Sequence, residues 1–270
     1  MKEMEDFNPG SHILTPRELY PVLLLTLLFF FLGMIFAGIM VFFGFTKLAL
    51  LAEVLFIIPA IIIVLVRRRP FIKSFRLNGV TAGIIFYSVI IAFSVLILGD
   101  ELDRLIGLIF PLPSWFDPRP IMEIHSIWDG VLIVGNAVVV AALAEEMLFR
   151  GMVQQTLESV HETGKAILLS AIFFALLHLN PWWMIQITLL GLVLGYMAWK
   201  SDSILPTVIL HGLNNLLAVI SLNSSEAKMN WYLAGGHVRW YWLALAALLA
   251  VPGFVGFQRT CDARHHYPFV

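Results

Sequence analysis

Apolar residues run along this chain in blocks that lack the alternation of strands and are too long for the helices of a soluble core. Eight helices are expected from them, at about 19–44, 48–66, 82–99, from near Ile127 through EEMLFRG to about Val160, 165–179, 182–199, 203–221 and 240–258. Most approach or exceed the ~20 residues that cross a bilayer as a helix. The fold expected is therefore all-α, a polytopic transmembrane bundle of about eight spans. Residues 1–18 are polar and acidic, and the run that follows is too long for a signal peptide, so it reads as a retained span.

Composition agrees. Hydrophobic residues make up 60% of the chain and charged residues 13%, about half the charged share of soluble domains. The net charge of −1 gives no electrostatic case for nucleic-acid binding. The single cysteine, Cys261, is read as part of a C-terminal tail and excludes an internal disulfide framework. The loop RRRPFIKSFR, with Arg67, Arg68, Arg69, Lys73 and Arg76, is the strongest basic cluster. By the positive-inside rule it faces the cytoplasm, and eight spans then place both termini there. Arg259 and Arg264 agree. The acidic, Pro- and Trp-containing stretch 100–126 is expected as an outer loop, and Trp115, Trp182, Trp183, Trp199, Trp231 and Trp240 as interfacial aromatics.

By chemistry the chain divides into a tail (1–18), a first set of helices with an outer loop (19–126), a polar-bearing core (127–222), and an outer loop, last helix and tail (223–270). The first three helices read as nearly free of ionisable groups in their middles. The core carries three clusters. In EEMLFRG, Glu145, Glu146 and Arg150 would together cost very roughly 8–10 kcal/mol at the bilayer centre if unpaired. They must pair or face a polar cavity. Glu146 and Arg150 stand four apart and are expected to form a structural ion pair. Glu145, rotated about 100° away, is left to face a reaction centre. FALLH puts Phe174 and His178 on one face, and HGLNN does the same for His211 and Asn215, with Gly212 admitting a close neighbour. Asn214 points elsewhere. From a tight hairpin at HETGK, Glu145 lies roughly 22 Å up one helix and His178 roughly 20 Å up the next, so the two come to nearly one depth. His211, about 12 Å along its own helix, matches less closely.

These motifs resemble those of the CAAX protease and bacteriocin-processing family, also called CPBP or Abi proteins, whose pattern is EExxxR, FxxxH and HxxxN. Every motif position is matched, in order, by Glu145, Glu146, Arg150, Phe174, His178, His211 and Asn215. The resemblance implies an eight-helix intramembrane endopeptidase. Glu145 with His178 would activate a water, and His211 with Asn215 would stabilise the oxyanion. It also implies a peptide or protein substrate, membrane-associated or lipidated, as for CAAX prenyl endopeptidases. Metalloprotease and metal-free glutamate mechanisms have both been argued for the family. Glu145, His178 and His211 also make a one-carboxylate, two-histidine set for zinc, whereas an amide such as Asn215 suits the oxyanion role better. Two alternatives stand beside the peptidase. A proton-coupled transporter would also use intramembrane Glu and His, but the chain shows no repeat symmetry. A non-catalytic immunity or scaffold protein would keep the fold alone. Asp129, Asn136 and the pair His265–His266 receive no role.

Overall fold

The computed structural model describes residues 13–113 and 119–266. Trp115, most of the 1–18 tail, and the side chains of His265 and His266 lie outside that description. The helices are α1 (Pro16–Phe42), α2 (Thr46–Val66), α3 (Phe71–Ser74), α4 (Ala82–Ile109), α5 (Arg119–Met122), α6 (Ile127–Glu158), α7 (Thr163–Leu177), α8 (Met184–Ser201), α9 (Leu205–Leu222), α10 (Glu226–Met229) and α11 (Trp240–His266). A two-stranded hairpin, β1 (Leu233–Ala234) with β2 (His237–Val238), turns on Gly235 and Gly236, both at positive φ. The protein is an all-α, multi-pass integral membrane bundle. Among the described residues, seven helices are long and apolar enough to cross a membrane. The eighth, α7, has 15 residues and at ~1.5 Å each falls short of the ~30 Å hydrocarbon core.

Exposed apolar side chains such as Leu24, Phe42, Leu108 and Leu248 face outward, as a lipid-facing surface requires. Inside, one cluster joins α1, α2, α6 and α7 through Val22, Ala60, Leu148 and Phe174. A second joins α4, α8, α9 and α11 through Ile91, Leu194, Leu210 and Phe257.

Helix ends follow local chemistry. α1 starts at a capping box: the Glu18 amide donates to the Thr15 hydroxyl, and the Thr15 amide donates to the Glu18 carboxylate. α4 runs ten residues past the expected 82–99, so the start of the expected outer loop is helix. DELDRLIGLI keeps helical periodicity, and Asp100 pairs with Arg104 one turn on. α11 likewise continues to His266, so Cys261 is a buried helical residue and not part of a tail. That last turn docks on α8 through Lys200–Asp262 at 2.5 Å and through Arg264, which donates to the Ser201 carbonyl.

Two of the five basic loop residues are packing groups. Arg69 is buried, donates to the Ile13 carbonyl and pairs with Glu18 at 2.8 Å. Arg76 is buried between Glu158 and Asp202. Their partners are 51 and 82 or more residues away in sequence, beyond the reach of local patterning. These bonds and the docking of α11 on α8 gather both ends of the described chain at the basic-loop end of the bundle.

Candidate active site

Three departures from regular helix converge where the polar residues sit. Residues Thr46–Ile57 of α2 are wound as a 3₁₀-helix. In α6, π-helical segments Val134–Ala141 and Met147–Val153 flank a single α-turn, Ala142–Glu146. Long 3₁₀ runs and π-turns are uncommon and concentrate at functional sites. α7 stops at His178 because Leu179 adopts a left-handed conformation (φ 49°) ahead of Asn180 and Pro181. The Asn180 side chain then accepts from the Trp182 and Trp183 amides. The short α7 therefore presents His178 at a helix end on the lining of a cavity.

The glutamates separate as their spacing predicts. Glu146 and Arg150 are fully buried and pair at 2.9 Å. Glu145 is partly exposed and lines a cavity of about 370 Å³. His178 and Phe174 of α7, Glu53 of α2, and apolar residues of α1 and α2 share that wall. Glu145 Oε2 has no hydrogen-bond partner among the described residues.

His211 links the two carboxylates. Its Nδ1 lies 2.9 Å from Glu146 Oε1 and its Nε2 lies 3.8 Å from Glu145 Oε2. A carboxylate only accepts, so Nδ1–H donates to Glu146 and Nε2 is the nitrogen turned to Glu145. The second distance is too long for a direct hydrogen bond. Glu146 and Arg150 thus do more than neutralise each other: they orient an imidazole. Phe174 braces the group, with its ring 4.7 Å from His178, 5.7 Å from His211 and 4.3 Å from the Arg150 guanidinium.

Gly212 explains how α9 comes so close. A Cβ there would lie 2.6 Å from the Val138 carbonyl oxygen of α6, so only glycine allows this backbone approach.

His178 Nδ1 lies 2.8 Å from the Phe174 carbonyl. The carbonyl fixes Nδ1 as the donor and leaves Nε2 for the cavity. The Asn215 amide donates to the Ala137 carbonyl of α6 at 2.8 Å. Glu145, His178 and His211 do not make a metal cradle, and among the described residues no group of three or more His, Cys, Asp or Glu side chains is placed to hold a metal ion.

One cavity residue went unnoticed in the sequence. Glu53 interrupts LALLAEVLFIIPAIIIVLV and lines the same cavity as Glu145 and His178. Asn136 of α6, without a role on sequence grounds, donates to Glu53 Oε2 at 3.1 Å and to the Leu50 carbonyl at 2.9 Å. A lone carboxylate within a span was the available signal.

No curated protein and no solved structure matches the chain. A family match does exist and falls on the helices that carry the motifs. Residues 126–217, from the cap of α6 to the middle of α9, match the family described as Type II CAAX prenyl endopeptidase Rce1-like, so the helices that carry the motifs are similar to those of CAAX-type intramembrane endopeptidases.

Proposed function

We propose that the protein hydrolyses a peptide bond within the bundle, using Glu145 as the base that activates water. One observation carries this reading: Glu145 lines the cavity, and its buried, partnerless Oε2 lies 3.8 Å from the Nε2 of an oriented His211. Water bound at Glu145 gives it a proton as the oxygen attacks the carbonyl carbon. Glu145 then passes that proton to the departing amine, so the carboxylate is regenerated.

His211, carrying Nε2–H while Glu146 holds Nδ1–H, donates to the developing oxyanion. Asn215 adds its amide from the same helix face once a substrate carbonyl competes with Ala137 for it. His178 Nε2 holds the water. In this reading the steps run through side chains alone. The α1 and α2 walls, including Phe30, Met34, Leu50 and Phe56, suit an apolar or lipid-bearing peptide that enters from the bilayer. The basic loop Arg67–Arg69, and with it both termini, is assigned to the cytoplasmic side.

The test is cleavage of fluorogenic peptides, with and without a prenylated cysteine, by protein reconstituted in vesicles. Turnover by wild type that is lost in His211→Asn, with insertion intact, supports the reading. Equal turnover in the variant refutes the role of His211.

A further inference from the structure

The cavity has a second polar feature besides Glu145. Its α1 and α2 lining is apolar except for Thr26 and Glu53. Thr26 is 1% exposed, and its hydroxyl has no hydrogen-bond partner among the described residues. An unpaired buried hydroxyl costs stability unless something arrives to satisfy it. Glu53 is held at one oxygen by Asn136, which is itself fixed on the Leu50 carbonyl. No ion pair to Glu53 occurs among the described residues, whereas the other buried carboxylate of the site, Glu146, has Arg150. A carboxylate held in aim by a neutral donor, and lining a cavity with no ion-pair partner of its own among the described residues, selects for what enters.

We infer that Glu53 is a specificity-determining residue: with Thr26 it forms a polar anchor for a substrate segment that carries hydrogen-bond donors or a positive charge, and it disfavours an anionic one. The inference takes the cavity as the peptide site of the reading above. An extended peptide in a membrane cavity must satisfy its own N–H groups. Glu53 offers an acceptor to them from the α2 side of the cavity. A lysine or arginine side chain near the cleaved bond meets an opposite charge in a low-dielectric site, where attraction is strong. An aspartate meets a like charge, and such juxtapositions reject wrong partners.

Binding tests this without relying on turnover. The full chain carrying Glu145→Gln is placed in nanodiscs, leaving Glu53 as the remaining carboxylate on the cavity wall. Three labelled peptides of Ala and Leu, alike except for a central Lys, Gln or Asp, are titrated by fluorescence anisotropy at mildly alkaline pH. The Lys peptide is expected to bind about tenfold or more tighter than the Asp peptide. Adding Glu53→Gln, which keeps an acceptor for Asn136, should bring that ratio close to one, and Glu53→Asp should retain most of it.

Equal or absent binding of the three peptides to the Glu145→Gln protein overturns the proposal. So does a ratio unchanged by Glu53→Gln, or a uniform loss of all three affinities, which would mark Glu53 as a purely structural group. If wild type cleaves no peptide yet the charge preference follows Glu53, the peptidase reading fails and the specificity inference stands.

Discussion

Replacing Arg150 by Met separates the two duties of the buried ion pair. Arg150 and Glu146 are both 0% exposed, 2.9 Å apart. The same guanidinium donates to the Gly191 carbonyl and lies over the Phe174 ring. Removing it strands a carboxylate in the interior. Breaking a buried pair this way costs about 3–5 kcal/mol, and a desolvated cation–π contact adds about 2 kcal/mol. The double variant Glu146→Gln/Arg150→Met removes both charges, and exchanging a whole buried pair for neutral groups is close to neutral. It should therefore regain much of the lost stability. Turnover should not return, because the neutral amide that replaces the Glu146 carboxylate no longer offers a charged acceptor to His211 Nδ1. The assay is reversible denaturation in mixed micelles for wild type, both single variants and the double, with peptide cleavage measured on each. Additive destabilisation would refute the coupling. Recovery of both stability and turnover in the double variant would refute the orienting role given to Glu146.

Other consequences follow from the same geometry. Asn215→Ala should lower kcat by about 10²–10³, the usual effect of losing one oxyanion donor, with KM little changed; a change confined to KM would assign Asn215 to binding. Gly212→Val should push α9 from α6, since a Cβ meets the Val138 carbonyl at 2.6 Å, and should lower both stability and activity; normal thermal unfolding of that variant would contradict the close approach. Cleavage should survive exhaustive chelation, with no stoichiometric metal in the purified protein by elemental analysis; loss on chelation and rescue by zinc would show that the three donors rearrange around an ion.

The bundle and most of its spans were legible in the sequence because a bilayer demands long apolar runs, and that demand is local. The Glu146–Arg150 pair was legible for a similar reason, since four residues on a helix bring two side chains together. Its grip on His211 was not, because the contact spans 65 positions and depends on how α9 settles against α6 at Gly212. Glu53 was passed over within an apolar helix, although a solitary acid there has few structural explanations. Asn136 gained a role only when α2 was seen beside α6. Asn215 shows the reverse case: its face was predictable from spacing, but the carbonyl that occupies its amide lies 78 positions away on another helix. The extended α4 and α11 were missed because charge was read as the end of a helix, whereas helices continue past the membrane surface when their apolar side still packs.

The most direct measurement is peptide cleavage by Glu145→Gln in vesicles, with folding followed by thermal unfolding and insertion by protease protection. The account predicts a folded, correctly inserted protein whose cleavage is lost while it still binds the peptide. Cleavage at the wild-type rate by that variant would contradict it.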